Sequence, residues 1–161
     1  MLFRLKQYIS RSFNRVYLHH ILGVGKVGEG VTYRRGFKVY NGANNIILGN
    51  YVSLDDSIFN AGDDDTGTIT VGDYSFFGHG TQVIARGHNY LLPSIKRLTT
   101  FTQRPITIGK GVWVGSGSII LGGSTIGDHA VIAANSVVKG EVKEWSIYAG
   151  NPAILVKKIP H

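Results

Sequence analysis

Residues 106–138 read ITIGKGVWVGSGSIILGGSTIGDHAVIAANSVV. An aliphatic side chain returns every six positions, at Ile108, Val114, Ile120, Ile126, Ile132 and Val138. Gly109, Gly115, Gly127 and Ala133 follow four of the six. A further small or modest residue stands four places on, at Val112, Ser118, Ser124, Ala130, Ser136 and Val142. A period of six is not helical, because 3.6 residues per turn would spread these side chains around the whole surface. A single strand is excluded too, since strands usually run ~5–6 residues. A short strand and a turn every six residues, wound into a coil, fits the pattern. One apolar residue per hexad then points to the axis, and the small residue beside it lets the backbone round the corner.

A longer period extends the coil toward the N-terminus. The phrase Ile-x-aliphatic-Gly occurs at Ile46–Gly49, Ile69–Gly72 and Ile106–Gly109, with a shorter relative at Ile126-Gly127-Asp128. The step from 108 to 126 is 18 residues, or three hexads. The steps from 48 to 71 and from 71 to 108 are 23 and 37, which are 18 plus 5 and 18 plus 19. Each triangular coil thus takes 18 residues, and two coils carry insertions. One includes Asn60 to Thr66, with Asp63-Asp64-Asp65 expected as a solvated turn; the other lies between His88 and Pro105. The expectation is an all-β chain, a single domain over 1–161, with a parallel β-helix over about 24–143, a protruding loop at 89–104 and a C-terminal tail at 144–161. Residues 23–45 match the repeat poorly, so a coil near Val24-Gly25-Lys26-Val27-Gly28 is left open. Stacked coils pair at the ~4.8 Å strand spacing, and their aliphatic side chains pile up as the core.

Composition agrees. Glycine is 22 of 161 residues and charged residues are 17%, against a usual ~25%. Disorder needs more charge and fewer branched apolar residues. Collagen needs a glycine every third residue, which is absent. With no cysteine, disulfides, thiolate metal sites and a cysteine nucleophile are excluded. Of the net charge of +7, four units come from Arg4, Lys6, Arg11 and Arg15, and the remaining 13 basic and 10 acidic residues suit an anionic small molecule. A nucleic-acid binder shows a denser basic face, so no nucleic acid is expected.

Open coil ends expose strand edges and need a cap. Leu2, Leu5, Ile9, Phe13 and Val16 recur at helical spacing, so residues 1–22 are read as an amphipathic N-terminal helix. It either caps the coil or rests, basic face down, on an anionic membrane surface. The basic residues break any run long enough for a signal peptide. The chain is expected in the cytoplasm, at the inner membrane surface if this helix touches lipid.

Residues 108–158 resemble the hexapeptide-repeat acyltransferases. The Trp-bearing coil Ile106–Gly115, its continuation Ile126–Val138 and Ala149-Gly150-Asn151-Pro152-Ala153 carry the resemblance, which is nearest to maltose, galactoside and polysaccharide O-acetyltransferases. It implies a left-handed parallel β-helix; the left hand comes from the resemblance alone. It also implies a homotrimer, with acetyl-CoA as acyl donor in a groove between subunits, and no metal. The expected activity is transfer of acetyl to a sugar hydroxyl of a cell-surface polysaccharide or its precursor. An N-acetyltransferase on an amino sugar and a non-catalytic trimeric module remain as alternatives.

In many such relatives a histidine opens the loop one coil before the Trp motif. That position is His88, in Arg86-Gly87-His88-Asn89. Acyl transfer to a hydroxyl needs a base near neutral pH, which suits histidine, so the resemblance makes His88 the catalytic base. Asn89, Asp55 and Asp56 are candidates to orient it. Asn89 is also a candidate for acceptor binding. Trp113 is expected to face outward and wall the pantetheine arm or the acceptor. Ser116 and Ala134 match CoA-contacting positions, while Lys139, Lys157 and Lys158 are the expected cations for the CoA phosphates. Lys139-Gly140 and Ile154 depart from the family pattern there. A carbonic anhydrase of the γ type shares the fold but needs paired histidines, and five places after His88 stands Pro93; His79 and His129 fall on different sides of the prism.

Overall fold

A computed structural model describes residues 14, 16–34 and 36–161. The chain visits three parallel sheets in turn, coil after coil. Sheet A stacks β1 (Lys26–Val27), β3 (Ile46–Leu48), β5 (Ile69–Val71), β10 (Ile106–Ile108), β13 (Thr125–Ile126) and β16 (Glu141–Val142). Sheet B stacks β6 (Phe76–Phe77), β11 (Trp113–Val114), β14 (Val131–Ile132) and β17 (Ser146–Gly150). Sheet C stacks β2 (Lys38–Val39), β4 (Ile58–Asn60), β7 (Gln82–Ile84), β12 (Ile119–Leu121) and β15 (Val137–Val138). The register is the one the period predicts: Leu48 pairs with Val71, Val71 with Ile108, Ile108 with Ile126 and Ile126 with Val142. Residues 24–28 do open a coil, because Val27 pairs with Leu48.

The core differs from the expected single inward residue per hexad. Ile108, Val114, Ile120, Ile126, Ile132 and Val138 are buried, and so are Val112, Ser118, Ser124, Ala130, Ser136 and Val142. Two positions per hexad face inward because the strand turns the residue two places earlier to the same side. The serines fit because their hydroxyls are bonded: Ser118 donates to the Ala133 carbonyl at 2.9 Å, and Ser124 to the Leu121 carbonyl at 2.6 Å.

The small residue after the aliphatic one marks close approach between coils. A Cβ on Gly72 would lie 2.6 Å from the Gly109 carbonyl carbon, and one on Gly28 2.3 Å from the Gly49 oxygen. At the same corner Asn50, Asp73 and Asp128 each accept a backbone N–H from the coil before, donated by Glu29, Asn50 and Lys110 at 2.8–2.9 Å.

Most of the expected N-terminal helix lies outside the described residues. Its described end is a π-helical turn, Tyr17–Ile21, whose Leu18 is buried in the core beside the first coil. At the other end, residues 144–161 are ordered rather than trailing: β17 extends sheet B, and β18 (Ala153–Lys158) folds back on it antiparallel.

Candidate active site

The second insertion is a hairpin. Leaving β7, the chain forms β8 (Arg86–His88), a short helix α1 (Ser94–Thr99) and β9 (Phe101–Gln103), then enters sheet A. β8 and β9 pair antiparallel, with Arg86 opposite Gln103 and His88 opposite Phe101. Asn89 turns the chain: its Oδ1 accepts the Leu91 N–H at 3.1 Å, and its carbonyl accepts the Leu92 N–H at 3.2 Å. Arg97 then closes the loop on itself, with Nε donating to the Leu92 carbonyl at 2.8 Å and Nη2 to the Tyr90 carbonyl at 3.2 Å.

His88 is exposed, and its Nδ1 lies 2.9 Å from the carbonyl oxygen of Arg97. A carbonyl only accepts, so Nδ1 carries the proton and the neutral ring presents the Nε2 lone pair outward. The partner that orients His88 is therefore a backbone carbonyl of its own loop.

Asp55 and Asp56 do not orient it. They stand at the corner between sheets B and C, against His79: His79 Nε2 is 3.4 Å from Asp55 Oδ2, and Nδ1 is 3.4 Å from Asp56 Oδ1. Arg34 Nε lies 2.9 Å from Asp55 Oδ1, and the Gly80 N–H donates to Asp56 Oδ1 at 2.8 Å. That N–H chiefly, with the nearby imidazole, holds the Asp56 carboxyl below its ordinary range. Ligand atoms of the three residues lie within 4.8 Å of one another; both imidazole nitrogens face carboxylates, while Asp55 Oδ1, beside Arg34 Nε, is buried with no hydrogen-bond partner among the described residues. The spacing held this signal, because Asp56 and His79 are 23 residues apart, the step that relates Leu48 to Val71.

The acidic turn Asp63-Asp64-Asp65 is exposed, as expected of a solvated turn, and is tethered on one side. Arg86 Nη1 donates to Asp63 Oδ1 at 2.8 Å, and Asp64 Oδ1 caps the turn by accepting the Thr66 N–H at 2.9 Å.

The remaining expected residues are distributed around the prism. Trp113 faces outward on sheet B, half exposed and stacked on Phe76 with centroids 5.8 Å apart. Ser116 and Ala134 sit one coil apart at the corner between sheets B and C, where the Asn135 N–H donates to the Ser116 carbonyl at 2.9 Å. Lys139 follows sheet C at the hairpin corner. It lines a cavity of about 610 Å³ together with Asn89, Tyr90, Arg104 and Gly122. Lys157 and Lys158 lie on β18, opposite Ile147 and Ser146. One chain therefore brings Asn89 and Lys139 to one cavity, holds His88 on the same hairpin but outside that lining, and leaves Trp113, Ser116, Ala134, Lys157 and Lys158 elsewhere. Arg97, Arg86 and Arg104 were missed as site residues, since the insertion has no repeat to register them.

Comparison with known proteins agrees with this fold. Residues 105–140 match the model of the bacterial transferase hexapeptide family, described as six repeats. Nodulation protein L of Rhizobium meliloti is 36% identical over 152 residues, covering 92% of this chain and 80% of that protein. A hexapeptide-repeat acetyltransferase of Vibrio cholerae, solved with acetyl-CoA, superposes with a TM-score of 0.79 at 25% identity, covering 98% of this chain and 85% of that one. A maltose O-acetyltransferase of Clostridium difficile superposes with a TM-score of 0.76 at 25% identity, covering 98% and 88%. The chain belongs to the hexapeptide-repeat transferase family. Its match to several other curated acetyltransferases spans between 28% and 59% of their length.

Proposed function

We propose that the protein is an acetyl-CoA-dependent O-acetyltransferase acting on a sugar hydroxyl of a cell-surface polysaccharide or its precursor. The observation that carries this reading is the exposed His88 with Nδ1 bound to the Arg97 carbonyl and no partner on Nε2 among the described residues. In the proposed reaction Nε2 takes the proton of the acceptor hydroxyl as its oxygen attacks the thioester carbonyl carbon. The tetrahedral intermediate collapses, the carbon–sulfur bond breaks, and the imidazolium returns the proton to the CoA thiolate. No metal takes part.

The scattered placement of the other expected residues supports a homotrimer; the left-handed winding rests on the family resemblance. In that assembly the hairpin corner of one copy faces a neighbour's Ser116, Ala134 and Trp113 across the groove. Ser116, Ala134, Trp113, Lys139, Lys157 and Lys158 would hold acetyl-CoA, and Asn89 and Trp113 the acceptor. Among the described residues no helix is long and apolar enough to cross a membrane. Contact with the inner membrane surface is assigned to residues 2–22, and so rests on a segment largely outside the described ones.

The test is CoA release from acetyl-CoA with a panel of sugar acceptors, followed by mild alkali, which removes an ester and spares an amide. His88→Ala is expected to lose about 10²–10⁴-fold in kcat with folding intact. Retention of most of the rate would overturn the role of His88.

A further inference from the structure

We propose that Asp63, Arg86 and Phe101 form a positioning unit for His88, so that the first insertion is part of the active-site scaffold; this rests on the reading of His88 as the base. Arg86 and His88 are two residues apart on β8 and project from the same face. Phe101, opposite His88 on β9, lies between them. The Arg86 guanidinium carbon is 3.8 Å from the Phe101 ring centroid, and the His88 ring centroid is 4.8 Å from it. The cation and the imidazole thus grip one ring. Behind them, Arg86 Nη1 donates to Asp63 Oδ1 at 2.8 Å. The cross-strand partner of Arg86, Gln103, ties into the same turn: its Oε1 accepts the Asp63 N–H at 2.6 Å, and its Nε2 donates to Asp64 Oδ2 at 3.2 Å.

Stability alone does not account for this arrangement. The Arg86 side chain is 13% exposed, and its Nε is buried with no hydrogen-bond partner among the described residues. A buried charge is costly, and an apolar side chain of similar volume serves stability as well or better. What the guanidinium adds is direction. Its planar face seats on the aromatic ring while its fork meets a carboxylate, which a Lys or a Met cannot do at once. The hairpin is otherwise long and exposed, and its far end is held by the Asn89 turn and by Arg97. The Asp63–Arg86–Phe101 unit fixes the near side of the His88 ring, and the Arg97 carbonyl fixes the far side.

The test reads the ring itself as well as turnover. Long-range ¹⁵N–¹H spectra of the histidine rings, with His88→Gln to assign the signal, should show wild-type His88 in a single tautomer protonated at Nδ1. Asp63→Asn and Arg86→Met should shift that signal toward a mixture of tautomers, and Arg86→Lys should restore it in part. With acetyl-CoA and maltose as probe substrates, kcat should fall about tenfold to a hundredfold in the first two variants, with KM for acetyl-CoA unchanged. Asp63 is exposed, so Asp63→Asn decides the matter if Arg86→Met fails to fold. A His88 signal unchanged in the folded variants would overturn the proposal. Variants that release the tautomer in a protein whose turnover does not need His88 would uphold the positioning unit and sink the catalytic reading instead.

Discussion

Asp56 shows how much one side chain adds when it sits at a coil corner. Its carboxyl is held below the ordinary range by the Gly80 N–H first and by His79 next. With the folded pKa depressed, the stabilisation is complete above the unfolded value of about 4. It is lost as the pH falls through the lower folded value. Asp56→Asn should therefore lower the melting temperature at pH 6, and the difference from wild type should vanish as the pH falls through the depressed folded pKa. At Gly72 the argument is steric. A Cβ there meets the Gly109 carbonyl carbon at 2.6 Å and the Lys110 nitrogen at 2.8 Å, both backbone atoms of the next coil. Gly72→Ala should cost about 1–3 kcal/mol, the usual range for overpacking, read as a lower denaturation midpoint. The sequence exposed this glycine through its place in the repeat. It also held the Asp56–His79 spacing, but only the fold shows that Asp56 faces His79 and not His88.

The hairpin is the element on which the proposed chemistry depends. Its site was legible because the step from Val71 to Ile108 exceeds one 18-residue coil by 19 residues. Its shape was not legible, because no periodicity runs through it. The Asn89 turn, the Pro93 entry to α1 and the Arg97 side chain build it locally, and the return strand β9 completes it. Arg97→Met removes two side-chain bonds to carbonyls and leaves the Arg97 carbonyl in place. The β-helix should melt as before, since the loop contributes no core residue. Hydrogen exchange should quicken over 89–100, and kcat should fall about tenfold as the His88 ring loses its fixed acceptor. Unchanged exchange in this segment would show that Arg97 does not hold the loop.

At the scale of the molecule, the expected site residues lie on different faces of one prism, and the proposed function calls on further copies to bring them together. Light scattering should find three copies of the chain in solution. Acetyl-CoA should raise the melting temperature by mass action, with ~2.7 kcal/mol of added stability at a ligand concentration one hundred times Kd. Free CoA should act likewise and ATP less. A monomer with no response to CoA at millimolar concentration would leave the non-catalytic module as the better account.

The sequence by itself determined the coil. Its six-residue period, its 18-residue turn and the stacked Ile-x-aliphatic-Gly phrases all follow from spacing, because each coil repeats the same local solution and pairs only with its neighbours; the choice of His88 came from the family resemblance. The tertiary structure alone decided the rest: the second inward position in each hexad, the ordered C-terminal strand pair, the partner of Asp55 and Asp56, and the carbonyl that sets the tautomer of His88. Those features join residues from insertions and corners, where no repeating pattern constrains the backbone, and their contacts exist only once the coils have stacked.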